Sequence, residues 1–362
     1  MASSKEKDGA STEAEQIGSM SLGESVERKD NQTGNNNEDA EEHGTTPAKE
    51  FCSACGKESD TDTLKKCRNC KCVWYCDKEC QNKHWKDHKK ECKRIKKVLD
   101  ERGGKLDLGE ELDVGPLPDL PPRGECPICM HVLPLHDNLQ AYNTCCGQTL
   151  CCSCDHQHQM KNGMQVTCAF CREPVSKSNE ETLARLSKRV ELKDPAALCQ
   201  MGLAYGFGHH GLQLNQDKCI ELLRQSAGLE FPPAQYQLAG FHCNGEMGLE
   251  KNEEEELRYV EKAAKCGDIF AWFNLGVGEA DNGNFVAAMR HWRLSASGGF
   301  KQPIDALITY YEHGLLHHGD LSETLQAMYR SRAEMRSKDR DLYIKHLKET
   351  GKFLKQYDGR VT

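Results

Sequence analysis

The 362 residues leave room for about two or three domains, and with 37% apolar residues no run approaches the roughly 18–20 apolar residues that a membrane helix requires. The net charge of −8 sits mostly in residues 1–50, which hold twelve Asp/Glu and five Lys/Arg. About −1 remains for everything else, so the chain carries no global attraction for nucleic acid.

Residues 1–50 are rich in Glu, Ser, Asn and Gly and poor in aromatics. Such a segment cannot bury enough apolar surface to offset its ordering entropy, and a disordered acidic tail is expected. It has no apolar leader core, so a cytoplasmic or nuclear chain with reduced thiols is expected. Paired cysteines in that setting read as metal ligands before disulfides. Seventeen of the twenty-one cysteines lie between Cys52 and Cys171.

The first group (51–93) runs Cys52-x2-Cys55, Cys67-x2-Cys70, Cys76-x3-Cys80 and His88-x3-Cys92. A C-x2-C knuckle places two sulfurs on one tetrahedral ion, and an x3 spacing places two side chains on one face of a helical turn. Eight ligands close two four-coordinate sites with no position left for water, the arrangement of structural rather than catalytic zinc. Cys72 falls outside the pattern as a surplus thiol, and His84 is a competitor of His88. With Tyr75 before Cys76, Gln81 after Cys80 and Trp85 three residues before His88, the segment resembles a MYND zinc finger. The resemblance implies interleaved sites: Cys52, Cys55, Cys76 and Cys80 on one zinc, and Cys67, Cys70, His88 and Cys92 on the other. It also implies binding of proline-containing peptides of the P-x-L-x-P type.

Residues 83–97 carry eight Lys/Arg against Asp87 and Glu91, which reads as a solvated helix face that offsets thiolate charge, the alternative being a nuclear-import or nucleic-acid patch. A charged, proline-bearing linker (94–124) follows. It contains a P-x-L-x-P string of its own, Pro118, Leu120 and Pro122. The simplest expectation is a stiff lead-in to the next module; the alternative is that this string fills the finger's peptide groove in cis.

The second group (125–175) runs Cys126-x2-Cys129, Cys145–Cys146, Cys151-x2-Cys154 and Cys168-x2-Cys171, with Cys152 surplus. The opening Cys-Pro-Ile-Cys and closing Cys-Ala-Phe-Cys-Arg resemble a RING-type finger of the all-cysteine kind. The resemblance implies a cross-brace: Cys126, Cys129, Cys151 and Cys154 on one zinc, and Cys145, Cys146, Cys168 and Cys171 on the other. His156 or His158 is an alternative to one of the adjacent Cys145–Cys146 pair. About four structural zinc ions per chain are implied in all. In that family an apolar residue between the first two ligands meets a ubiquitin-conjugating enzyme, here Ile128, and a basic residue after the last ligand holds ubiquitin's carrier, here Arg172. The proline common in the last pair is Ala169. A structural zinc contributes roughly 10–16 kcal/mol to such a module, so chelation is expected to unfold 52–171 and spare the C-terminal half.

The remainder reads as helices. Ser178 to Glu181 forms a capping box, Asp194-Pro195 an N-cap with proline at the first position, and Asn215 and Asn252 precede amphipathic stretches. An internal repeat emerges on overlay. Ala197, Ala234 and Ala271 are 37 residues apart, followed by Met201, Leu238 and Leu275, then by Gly202, Ala239 and Gly276. Ala227, Ala264 and Ala296 precede the next unit by seven residues, and a partial fourth unit carries Leu307, Tyr311 and Gly314. The pattern over 195–315 resembles Sel-one-like repeats, TPR-like helical hairpins whose stacking makes the core. Tyr205, Tyr236, Trp272 and the cysteines Cys199, Cys219, Cys243 and Cys266 are expected in or near that core. The repeat region is set at 178–318, with capping helices and tail at 319–362, where Leu321, Leu325 and Met328 form an apolar stripe.

The fold class is therefore small zinc-stabilised α+β modules followed by an all-α solenoid. The function expected is protein interaction, sharpened by the RING resemblance to ubiquitin ligation. The alternative is a non-enzymatic adaptor or transcriptional cofactor. A lysine methyltransferase is not expected, because no SET-type motif is recognisable; nor is there a Walker loop or a nucleophile elbow.

Overall fold

The computed structural model describes residues 51–58, 63–163 and 167–351; the expected acidic tail and residues 352–362 lie outside them. The first cysteine group forms a two-stranded antiparallel sheet, β1 (Lys65–Lys66) and β2 (Trp74–Tyr75), with Lys65 opposite Tyr75. A long helix follows, α1 (Lys78–Glu101), capped by Asp77 accepting from the Cys80 amide. This helix passes the boundary read at residue 93. Cys76 precedes it, so only the His88–Cys92 pair shares a helical face. The second group forms the hairpin β3 (Gln140–Asn143) and β4 (Gln148–Cys151), then α2 (Cys152–Asn162).

Next comes α3 (Asn179–Glu191), whose N-cap Ser178 accepts from the Glu181 amide while Glu181 accepts from the Lys177 amide. Three helical hairpins continue the chain: α4 (Pro195–Phe207) with α5 (Gln216–Gly228), α6 (Pro232–Asn244) with α7 (Glu253–Lys265), and α8 (Ile269–Asp281) with α9 (Phe285–Ser297). Asp194, Asn215, Asn252 and Asp268 cap α4, α5, α7 and α8 through their side chains. Then follow α10 (Gln302–Glu312), α11 (His318–Glu334) and α12 (Lys338–Glu349). The architecture is thus a cysteine-rich region followed by a helical repeat array.

The repeat positions lie where stacking needs them. Ala197, Ala234 and Ala271 are fully buried, as are Ala264 and Ala296. Leu321, Leu325 and Met328 of α11 are buried too, but against the first cysteine group as well as the array. One expectation differs, and three aromatics meet theirs at the core edge, where Tyr205, Tyr236 and Trp272 pack against buried clusters. Cys243 is exposed. Tyr205 and Tyr236 are half-buried and reach out to polar partners, Lys218 Nζ at 2.7 Å and Asn274 Nδ2 at 2.9 Å. Trp272 is half-buried and stacks on His291. A phenol at a helix surface keeps its hydroxyl near polar partners while its ring packs, whereas the indole N–H of Trp272 is covered.

The larger departure concerns independence. One apolar core runs from the first cysteine group (Val73, Trp74, Ile95, Val98, Leu99) into α9, α10 and α11 (Met289, Trp292, Leu307, Tyr311, Leu321, Leu325). Lys301 at the start of α10 donates to the Asp87 carbonyl at 2.8 Å and pairs with the buried Glu91 at 2.9 Å. Arg94 makes a two-pronged pair with Glu312. This shared core runs against the expected separation of the zinc modules from the C-terminal half for the first module.

The linker differs as well. Its P-x-L-x-P string lies against the array, not on the first cysteine group: Leu120 packs at Gly298 and Pro121 at Gly267. Helix contacts in the array are close enough to give neighbouring glycines opposite substitution effects. A Cβ at Gly276 would stand 2.4 Å from the Trp292 ring, whereas nothing lies within 4 Å of one at Gly278. Gly276→Ala is expected to destabilise by about 1–3 kcal/mol through overpacking. Gly278→Ala is expected to stabilise by roughly 0.5–1 kcal/mol through helix propensity. Urea midpoints of the two variants, shifted in opposite directions, check this.

Candidate metal centres

Four quartets assemble, each with its ligand atoms within 4.8 Å of one another: Cys52, Cys55, Cys76 and Cys80; Cys67, Cys70, His88 and Cys92; Cys126, Cys129, Cys151 and Cys154; and Cys145, Cys146, Cys168 and Cys171. In each module the two sites interleave along the chain, so closing one holds the loops of the other. Sulfur bonds of about 2.3 Å in a tetrahedron require S···S separations of about 3.8 Å. The Cys55–Cys76 and Cys67–Cys92 sulfurs are 3.7 Å apart, Cys146–Cys168 3.8 Å and Cys129–Cys151 3.9 Å. Cys70 Sγ lies 3.3 Å from His88 Nε2, and Cys145 Sγ 3.4 Å from Cys171 Sγ.

Thiols this close cannot all ionise without a cation among them. Hydrogen bonds from Cys70 and Cys92 hold the Cys67 thiol far below its ordinary value, and the bonds to Cys67 push Cys70 and Cys92 far above theirs. Donor chemistry and spacing both fit structural zinc, and each quartet is complete without a water ligand.

The alternative ligands stand elsewhere. His84 is buried in α1, stacked on His88, with Nδ1 3.0 Å from the Tyr75 hydroxyl; burial lowers its pKa to about 3. His156 stacks on His346 of α12 at 4.8 Å, and His158 Nε2 meets Thr167 Oγ1 at 2.9 Å. Cys152 faces the Asn138 carbonyl, its pKa raised to about 12 by burial. Cys72 is fully buried, with Sγ 3.2 Å from His318 Nε2.

Sequence reasoning missed the residues that hold these sites from a distance. His318 Nε2 lies 2.9 Å from the Cys70 carbonyl, Ser322 Oγ donates to the Cys72 carbonyl at 3.0 Å, and the Tyr329 hydroxyl lies 3.4 Å from His88 Nδ1. All three are on α11. In the second module Arg340 of α12 donates to the Val132 carbonyl at 2.6 Å and to Cys129 Sγ at 3.4 Å. Arg189 of α3 donates to the Cys145 carbonyl at 2.9 Å, and the Tyr142 hydroxyl donates to Asp194 at 2.7 Å. Such outer contacts orient ligands and their loops. The one local signal was that His318, Ser322 and Tyr329 share a helix face beside the apolar stripe.

Ile128 and Arg172 are brought to no quartet. Both are exposed; Ile128 sits between Cys126 and Cys129 with 44% of its surface free, and Arg172 follows Cys171 with φ +66°.

A MYND finger family model matches residues 52–92, and a Sel1 repeat model matches 195–230 and 232–268. The histone-lysine N-methyltransferase ASHR1 of Arabidopsis thaliana is 40% identical over 57 residues, 16% of this chain and 11% of that protein. A SET and MYND domain-containing protein of Dictyostelium discoideum is 45% identical over 51 residues, 13% of this chain and 9% of that protein. The chain thus spans about a tenth of the length of these relatives. Among solved structures, a Sel1 repeat protein from Oxalobacter formigenes is 28% identical, covering 34% of this chain and 96% of that one, with a TM-score of 0.32. The Escherichia coli protective antigen c5321 is 18% identical, covering 48% of this chain and 52% of that one, with a TM-score of 0.28. The chain carries a MYND finger and Sel1 repeats, both protein-interaction modules.

The shared core changes what metal removal should do. Chelation is expected to strip amide protection from both cysteine-rich modules and also from α10 and α11, while α4 to α7 keep theirs. Hydrogen exchange read by mass spectrometry checks this; full protection of α11 after zinc loss would restore the simpler picture of independent parts.

Proposed function

We propose that this chain is a zinc-stabilised interaction protein whose sixteen quartet residues are the zinc ligands and whose second module, residues 125–175, is a RING-type finger acting as a ubiquitin ligase. The MYND finger and the helical repeats select its partners. The observation that carries the reading is the Ile128 side chain, held out on the rim of an interleaved pair of four-cysteine sites. Burying it in the knuckle would have been the cheaper arrangement for a purely structural zinc module. Phe170, between the last two ligands, is equally free at 44%, and Met130 is freer still. An apolar surface on a rigid metal-braced rim suits a partner that must be positioned. Positioning is all such a ligase supplies, since the nucleophile and the charged carrier come from elsewhere.

The second reading, a non-enzymatic adaptor or transcriptional cofactor, draws on Ala169, which stands where ligase-active fingers commonly have proline. Methyl transfer is not proposed. The relatives bearing that name or a SET domain match over 57 residues at most, too short a stretch to represent a catalytic domain.

The test is ubiquitin transfer in vitro by the full chain with a panel of conjugating enzymes. Ile128→Ala is expected to lower chain formation at least tenfold with zinc content unchanged, and Arg172→Ala to lower transfer while conjugating-enzyme binding persists. Absence of transfer from every conjugating enzyme, with four zinc ions per chain present, favours the adaptor.

A further inference from the structure

Residues 112–123 cross the array as a strap. Leu112 N donates to the Leu315 carbonyl at 3.0 Å, Arg290 donates to the Val114 carbonyl at 2.9 Å, and Arg293 to the Gly115 carbonyl at 2.7 Å. Arg293 is 1% exposed, paired with Asp320 at 3.0 Å and Glu323 at 2.6 Å. Gly115 takes φ +68°, a conformation that suits glycine, and this turns the chain here. At the other end Arg123 donates to the Gly298 and Leu133 carbonyls, both at 2.7 Å.

Between these anchors the burial has a period of three. Leu117, Leu120 and Arg123 are covered, while Pro116, Pro118, Asp119, Pro121 and Pro122 are exposed. Three residues per turn is the repeat of polyproline II, and four prolines in seven residues favour that conformation before any contact is made. Residues 116–122 make no hydrogen bond to the array. They rest on it through Leu120, seated where Gly298 leaves room, and through the edge of Pro121 at Gly267, while Leu117 is half-buried.

We propose that the face of α8, α9 and α11 beneath residues 116–123 is a binding site for polyproline-II segments bearing apolar side chains three residues apart, that the strap is its resident ligand, and that a partner segment of this chemistry takes the site by displacing the strap. The physical case has two parts. Recognition by covered residues at every third position, with the backbone left without hydrogen bonds, is how proline-rich ligands dock. A segment fixed firmly at both ends and weakly in the middle also belongs to the low-stability part of a fold, which opens first. Because the strap is tethered it competes at an effective concentration of the order of millimolar. The site is therefore hidden from weak ligands until the strap is loosened.

The test uses the full chain and a fluorescein-labelled peptide of residues 115–124. Leu117→Ser with Leu120→Ser in the strap is expected to raise peptide affinity at least tenfold over the unaltered chain, and a peptide carrying the same two serines should not bind either protein. Equal affinity for both proteins, or binding to neither, overturns the proposal. A second measurement needs no variant, so it decides even if the double substitution disturbs folding. Saturating the unaltered chain with the tagged peptide should move the amide NMR resonances of Leu117, Asp119 and Leu120 to random-coil positions, and unmoved resonances there overturn displacement.

Discussion

A module whose interior is sulfur rather than hydrocarbon cannot hold itself together, and that constraint organises the rest of the molecule. The buried cluster of the second module consists of Cys126, Leu150 and Cys151, far short of what a cooperative domain needs. Metal supplies one part of the remedy. The helices supply the other, and they do so in a consistent way, through donors aimed at backbone carbonyls of the cysteine loops. In a knuckle the amides curl towards sulfur, as the Cys76 amide does towards Cys52 Sγ at 3.4 Å. The first cysteine's carbonyl in each C-x2-C turn is met within the turn, as at Cys52, Cys67, Cys126 and Cys168, but other covered carbonyls of these loops need partners from outside. His318, Ser322, Arg340, Arg189 and Arg185 meet them on the Cys70, Cys72, Val132, Cys145 and Pro174 carbonyls.

The repeat array is thus more than a spacer that displays two modules. Its last helices complete the MYND finger, and the second module touches both its beginning, through α3, and its end, through α12. Ile128 stays exposed despite these attachments. Two modules fixed to one helical body keep a set relation to each other, which suits a protein that must hold a partner near a second bound component. Flexible linkage would instead trade that geometry for reach.

Much of this was legible in the sequence because the information was local. Ligand spacing of two or three residues encodes a knuckle or a helical turn, and a 37-residue echo of alanines encodes stacked hairpins. Caps such as Asp194 and Asn252 announce helix starts within a few residues. What was not legible depends on partners far away in the chain. Nothing near Cys70 says that His318 will lie against it, and nothing in Pro116–Pro122 distinguishes a spacer from a strap until the face that receives it exists. Tyr205 and Tyr236 could be placed in a helix pair but not at a depth within it, since depth depends on which neighbouring helix carries Lys218 or Asn274. The adjacent pair Cys145–Cys146 left room for His156 or His158 as ligands; only the turn between β3 and β4 shows both sulfurs entering one site.

The hydrogen bond between His318 and the Cys70 carbonyl spans 248 positions of the chain. A ribosome adding about 5–20 residues per second needs roughly 10–50 seconds to cover that distance. For that interval the emerging MYND finger has its thiols but not the surface that completes it, while later cysteines join it. Sixteen candidate metal ligands on an unfinished polypeptide can pair with the wrong partners or oxidise. The order of synthesis therefore makes zinc supply during translation, and protection of reduced thiols until α11 has been made, a determinant of how much of this protein matures.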